Sequence, residues 1–436
     1  MKTKEIILLI LIIAAGVFFY HAQTGKIDWE WADGIFVHYE DFSFEETIEI
    51  DPPFPPQIRI DNTHGDIEIQ GDPGAQESIS IRFDKRIWRK KETQAQEVAD
   101  RLKLWVEKEP GALSLSTNRR EFKRKRFETN FRILVPEGMD VLVENRYGKV
   151  TVDRVGRAEI ENAYGEIEAT NVSGDCRAEN NYEDILIENV EGDCTVENGH
   201  SDTVIKGVRG KTTVTQRYGE LHLEDLEMDV FIDAPHAEIY GTNFTGHTEI
   251  RNSYEEIILN DIGTAVIHGH YSDLEVNGAD SLDISNRDAK IKLARIRGNI
   301  KAEGKSLEIT AREIDAGTID INTSYEVVAL SDFSGRTTIT LSNGKVRLEP
   351  RPLTGPIDVR GEYLDIFLLW PEGGAYPLEA RSKGGDVIWE LPVDPSFREV
   401  NDYSLLKAFV EEAGQPSISL STTYSTIRIA DKKPDS

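Results

Sequence analysis

Asn145-Arg-Tyr-Gly-Lys-Val-Thr-Val and Asn162-Ala-Tyr-Gly-Glu-Ile-Glu-Ala are two copies of one phrase, 17 residues apart. The phrase continues along the chain. Its aromatic position recurs at Tyr147, Tyr164, Tyr182, His200, Tyr218, His236, Tyr254 and Tyr271, at spacings of 17 or 18. Weaker copies follow near Asp288, Lys305 and Tyr325. Two residues before the aromatic stand Asn145, Asn162, Asn180, Asn198, Gln216 and Asn252. Apolar residues fall three and five after it, as in Ile185/Ile187 and Ile257/Leu259, and again eight after it, as in Val190 and Phe244. Each unit thus holds two short alternating segments separated by turn residues, which is strand periodicity. One unit cannot bury its apolar face alone. Stacked units, each strand pairing with its equivalent in the next, bury a continuous core.

The expectation is an all-β, single-chain parallel β-solenoid of about eleven rungs of 17–18 residues. At ~4.8 Å per rung it makes a rod on the order of 50 Å long. Proline placement agrees: of 17 prolines only Pro235 lies between residues 137 and 349, where nearly every N–H is needed for pairing. All six tryptophans lie outside the repeats. The solenoid is assigned to 145–349, an N-terminal cap to 26–144 and a C-terminal cap to 350–430, with a polar tail over 431–436. Helices are expected near Glu92–Glu109 and at Ser404–Glu412.

The N-terminus reads as an export signal or membrane anchor over residues 1–25. A basic Met1-Lys-Thr-Lys precedes an apolar run, Ile6–Tyr20. The expectation drawn from it is membrane attachment through this segment and an extracytoplasmic, cell-envelope location. The net charge of −28 argues against nucleic acid. The charge is uneven. Residues 82–126 hold 15 Lys/Arg and 7 Asp/Glu, a net of +8, which leaves −36 (−28 less +8) on the rest. The peak is Arg119, Arg120, Lys123, Arg124, Lys125 and Arg126. It reads either as a contact for anionic headgroups or cell-wall polymer, or as a partner for the acidic rod, or simply as a solvated strand.

Two sets of repeated positions are candidate binding surfaces. Two residues after the aromatic come Glu166, Asp184, Asp202, Glu220, Glu238, Glu256 and Asp273, a carboxylate column. It reads as an edge for Ca²⁺ or a basic partner, or as turn chemistry in which carboxylates bond backbone N–H groups. Four after the aromatic, at outward positions, come Leu186, Val204, His222, Tyr240 and Ile258. They form a partner or self-association surface, or a strip covered by a flanking segment. The aromatic column itself either stacks on sugars or packs at a corner beside an asparagine ladder. Cys176 and Cys194 occupy the same place in adjacent rungs, which suits a small-residue interior stack better than a disulfide. No HExxH or GxSxG occurs, and Gly210-Lys-Thr and Gly304-Lys-Ser lack the earlier glycine of a phosphate-binding loop. No catalytic residue, metal site or cofactor is assigned.

The repeated Asn-x-Tyr-Gly phrase resembles the repeat of the bacterial putative-adhesin β-strand-repeat family, also called the toastrack domain. The entry Val135-Pro-Glu-Gly and the late Gly384-Gly-Asp-Val-Ile look similar too. The resemblance covers roughly residues 60 to 430. It implies envelope location, binding or envelope-stress association, and no established enzyme activity. The glycine after the aromatic is replaced at Glu183, Ser201, Ala237 and Glu255, so turn geometry is expected to vary. The reading is a non-enzymatic, adhesin-like binder or scaffold whose partner is an envelope protein or polysaccharide. The alternatives are a β-helix polysaccharide lyase or hydrolase and a polymerising scaffold. Convergent carboxylates with Arg or Lys in a cleft would favour the enzyme, and uncapped complementary edges the polymer.

Overall fold

A computed structural model describes residues 39–74, 78–123, 125–372, 374–400, 402–409 and 415–432. Each repeat forms one rung with two strands. The first strands stack into one wall and the second strands into a facing wall. Register is in phase with the repeat. Ile167 pairs with Ile185 and Ala169 with Ile187 in the first wall. Cys176 pairs with Cys194 and Ala178 with Val196 in the second. The chain is therefore an all-β parallel solenoid, and region 145–349 supplies about eleven of its rungs. Positions three, five and eight after the aromatic point inward and are buried, as Ile185, Ile187 and Val190 illustrate.

Two corner devices make the rung. Seven residues after the aromatic the backbone is left-handed, with φ of +55° at Asn171, +59° at Asn189, +57° at Asp225 and +61° at Asn243. Asn and Asp tolerate this region better than other side-chain-bearing residues. Here they also bond rung to rung: Asn171 Nδ2 donates to Asp153 Oδ1 at 2.7 Å and Asn189 Nδ2 to Asn171 Oδ1 at 3.1 Å. Asn189→Val should therefore cost about 1–2 kcal/mol in urea unfolding, and Asn189→Gly much less. The second device is the buried amide two before the aromatic. Asn180 Nδ2 donates to the carbonyls of Gly165 and Glu183, both at 2.9 Å. One acceptor lies in the preceding rung and one in its own corner. The expected variation in turn geometry appears at Tyr254, which precedes Glu255 and has φ of +76°.

Rung order departs from sequence order at both ends. In the second wall Gln57–Asp61 lies between Ala112–Thr117 and Asp140–Glu144. In the first wall Ile67–Asp72 lies between Phe127–Pro136 and Val150–Asp153. The mirror arrangement closes the other end. The last rung in sequence, Ile418–Thr423 with Ile427–Ala430, inserts between the rungs of 357–369 and 378–390. Antiparallel strands then cover the edges. Glu40–Ile50 pairs with Ile79–Arg89, which pairs with Phe127–Pro136. Leu104–Lys108 covers Ala112–Thr117. Tyr403–Ala408 covers Leu378–Lys383 and is itself covered by Ser396–Val400.

Several expectations are corrected. The first helix is shorter, Glu92–Arg101, and buries Ala95 and Ala99. Trp105 lies in the following strand, half exposed, because Pro110-Gly111 turns Leu104–Lys108 back on Ala112–Thr117. The segment expected as helix at Ser404–Glu412 is strand through Ala408, its propensity overridden by edge pairing. Among the described residues no helix is long and apolar enough to cross a membrane. Ile6–Tyr20, which carried the anchor expectation, lies outside the described residues. The membrane partner, the signal anchor and the anchored envelope location that rested on it are withdrawn.

Candidate functional site

The two candidate surfaces are neighbouring columns of one face. Positions two and four after the aromatic both point outward from the first wall, about 7 Å apart along each strand. His222 and Tyr240 stack at 4.8 Å with 7° between ring planes. Leu186, Val204, His222, Tyr240 and Ile258 are all half-buried, in register from rung to rung. The capping strands pair with the rod at its ends rather than across this strip.

The carboxylate column divides by side-chain length. Asp184 Oδ1 accepts the Asp202 N–H at 3.2 Å, Asp202 Oδ1 the Glu220 N–H at 2.9 Å, and Asp273 Oδ1 the Lys290 N–H at 2.8 Å. These aspartates do turn work, each clamping the next rung. Glu220 and Glu238 reach sideways along their strands instead. Glu220 meets His222 Nε2 at 3.0 Å, and Glu238 accepts the Tyr240 hydroxyl at 2.5 Å. That bond to Glu238, followed by burial and the nearby negative charges, pushes the Tyr240 phenol up to about 12. Glu166 sits 3.3 Å from Lys149 Nζ. Among the described residues no group of three or more His, Cys, Asp or Glu is placed to hold a metal ion.

The aromatic column is exposed, Tyr182 to 48% and Tyr254 to 57%. Its rings stack on one another along the rod, with centroids 4.8 Å apart at Tyr147–Tyr164 and 4.7 Å at Tyr164–Tyr182. Planes stay within 17° through Tyr271. Each face is consumed by the next ring, so the ladder offers edges and hydroxyls outward. Stacking a sugar ring on an aromatic face is closed to all but its ends. The amide ladder behind it sits where expected, although its amides bond backbone carbonyls rather than one another.

Cys176 and Cys194 are buried free thiols in register. The bond between them and burial push the Cys194 thiol well up, which suppresses the thiolate a nucleophile requires. A second aspartate ladder, not picked out from the sequence, lies at the opposite turn. Asp175 Oδ1 accepts the Asp193 N–H at 3.0 Å, and Asp193 Oδ1 the Lys211 N–H at 2.8 Å. Its signal was the acid after the repeated glycine, as in Gly174-Asp175 and Gly192-Asp193.

A stacked glutamate column on the second wall has a pH consequence. Glu161 pairs in register with Glu144 and Glu179. Burial, then Glu179, Glu144 and Glu159, raise its carboxyl above the ordinary value of 4.5. A raised folded value means that its favourable contribution is complete below 4.5 and is lost as pH rises through the folded value. Glu161→Gln should therefore unfold at slightly higher urea than the parent at pH 7. The difference should vanish at pH 4.

One groove, of about 560 Å³, runs along the left-handed corner and is lined by Asp261, Asp280, Arg295, Arg297, Glu313 and Asp315 among others. Several of its charged groups already have partners. Arg295 Nη2 reaches Asp261 at 3.3 Å, Glu313 pairs with Arg312 at 2.9 Å, and Asp315 accepts the Ser334 hydroxyl at 2.8 Å.

The fold defines the class as a parallel β-solenoid. No protein-family model matches the chain, and no curated protein is similar to it. Among solved structures, a putative cell adhesion protein from Clostridium sporogenes ATCC 15579 aligns with it over 90% of this chain and 100% of that one. The identity is 9% and the TM-score 0.17.

Proposed function

We propose that the chain is a non-enzymatic, adhesin-like binding protein that holds an extended cationic partner along the outer face of its first wall. The observation that carries this is the coincidence of two columns on one face that no described strand covers. A five-rung strip from Leu186 to Ile258 runs beside a seven-rung carboxylate column. A surface repeated rung by rung suits an extended partner better than a compact substrate. Apolar groups supply contact area, and the flanking glutamates select positive charge. The resemblance of the repeat to adhesin-like sequences agrees.

The test is titration with an oligo-lysine peptide carrying interspersed leucines, against an oligo-glutamate counterpart. Glu220→Gln with Glu238→Gln and Glu256→Gln should weaken lysine-peptide binding about tenfold, since exposed pairs contribute up to ~1 kcal/mol each. These positions leave the aspartate clamps intact. Equal affinity in parent and variant would remove the reading.

A second reading, a carbohydrate-active enzyme, has one observation behind it: the corner groove gathers carboxylates beside Arg295. It requires reducing-end release or lyase product from a polysaccharide, lost on Asp315→Asn. End-to-end polymerisation finds less support, because antiparallel strands cover the N-terminal edges of both walls.

A further inference from the structure

The positive charge of residues 82–126 converges on one place. Arg89, Lys90, Lys125 and Arg126, with Tyr39 and Gln94, line a cavity of about 680 Å³ in the N-terminal cap. Among the described residues no carboxylate lines it. Some cations elsewhere lie beside acids, as where Lys149 meets Glu168, Arg177 meets Glu197 and Lys292 meets Glu275. Lys90, Lys125 and Arg126 have no ion-pair partner among the described residues, in a chain with 28 more acids than bases. The alternative reading, that this segment pairs with the acidic rod, therefore fails at these positions.

The cleft is also braced. Arg126 lies 4.3 Å over the Tyr39 ring, and Arg89 Nη1 donates to the carbonyls of Trp88 at 2.7 Å and Arg126 at 3.1 Å. Arg119 is buried to 3% exposure and makes no ion pair among the described residues. Its Nη1 donates to the Phe127 carbonyl at 2.7 Å and its Nη2 to the Lys125 carbonyl at 3.3 Å, while its guanidinium lies 4.3 Å over the Phe127 ring. A buried arginine is a costly way to hold a backbone turn. Here it fixes the stretch that presents Lys125 and Arg126. Burial brings its own pKa down to about 10. The imidazolium of His64 is disfavoured first by burial and then by Arg119, Arg146 and Lys125.

We propose that this cleft is an oxyanion site that takes a phosphate or sulfate group of a ligand. Guanidinium forks match the tetrahedral oxyanion two oxygens at a time, and the lysines add point charges. The ligand presents its anionic group over a short length. Beyond a Debye length of about 8 Å an extended polyanion would meet the acidic rod.

The experiment uses the full chain at physiological salt. Probes are inorganic phosphate, short-chain polyphosphate, a sulfated oligosaccharide, and vesicles of phosphatidylglycerol with phosphatidylcholine against phosphatidylcholine alone. Saturable binding of a soluble probe, weakened about tenfold in Lys90→Gln/Lys125→Gln, supports the site with a soluble source. Binding confined to the anionic vesicles and lost in the same variant supports it with a headgroup as the source. Arg126→Lys should lose part of the affinity while keeping the charge, and unchanged circular dichroism and melting would show that both variants fold. No saturable binding to any probe, or equal binding by parent and double variant, overturns the proposal. Self-association of the parent that the double variant loses, without probe binding, also overturns it, since the cations would then meet the carboxylates of a second copy.

Discussion

Phe244→Ala should lower the free energy of unfolding by about 3–5 kcal/mol, the range for deleting a buried aromatic ring from a packed core. Phe244 is 1% exposed and fills the inward position eight after the aromatic. Its register partners are Leu226 below and Ile262 above. The ring fits because the inward position five after the aromatic is Gly241 in this rung, where the neighbouring rungs have Leu223 and Leu259. A Cβ on Gly241 would lie 2.7 Å from the Phe244 ring and 2.7 Å from Leu259 Cδ2. The rung has exchanged volume between two positions. Gly241→Leu alone should therefore be overpacked, at about 1–3 kcal/mol or more. Gly241→Leu with Phe244→Leu restores the pattern of the rung below and should cost less than the two single changes summed. Urea unfolding of the cycle should give a coupling of about 0.5–3 kcal/mol with compensating sign. Strict additivity would contradict this packing.

Glu46→Ala is the second large effect, at about 3 kcal/mol. Lys85 is 1% exposed, and its ammonium bonds the Glu46 carboxylate and the Ala99 carbonyl, the latter at 3.1 Å. Removing the carboxylate leaves a buried charge with one neutral partner, for which about 3–5 kcal/mol is usual. The lower end applies because Glu46 is half exposed and water enters readily. Lys85→Met removes charge and carboxylate requirement together and should be neutral or stabilising, and Glu46→Ala should cost little in that background. Thermal unfolding of the four proteins tests this. A Lys85→Met loss as large as the Glu46→Ala loss would show that the ammonium itself is needed to join Glu40–Ile50, Ile79–Arg89 and the helix.

The rod was legible because a solenoid repeats its physics. Positions three, five and eight after the aromatic had to be apolar to face the core, and the amide two before it had a fixed pair of carbonyls to satisfy. The ends were less legible. Asn62-Thr-His-Gly-Asp-Ile-Glu-Ile carries the repeat phrase, yet nothing local says that residues 112–136 stack outside it. That choice lies in pairings across tens of residues, where the repeat has decayed. Tyr403–Ala408 failed for a related reason, its helix-forming Leu-Leu-Lys-Ala being recruited by an open edge. The candidate surface was half visible. Both columns lie on the outer side of the first wall, but whether Asp202 clamps a backbone N–H or stands free depends on one methylene that Glu220 has and Asp202 lacks. Whether the tyrosines present faces or edges is a rotamer property that spacing does not encode.

On the proposal made above, the first wall's outer face is the working surface of the rod. The most direct measurement is the affinity of the full chain for the leucine-containing oligo-lysine peptide, in the parent and in Leu186→Ser/Val204→Ser/Ile258→Ser. Three outward positions change and the core is untouched. The account predicts saturable, salt-weakened binding by the parent and at least about a tenfold loss in the variant, with melting unchanged. Binding that survives the triple substitution at full strength would contradict it.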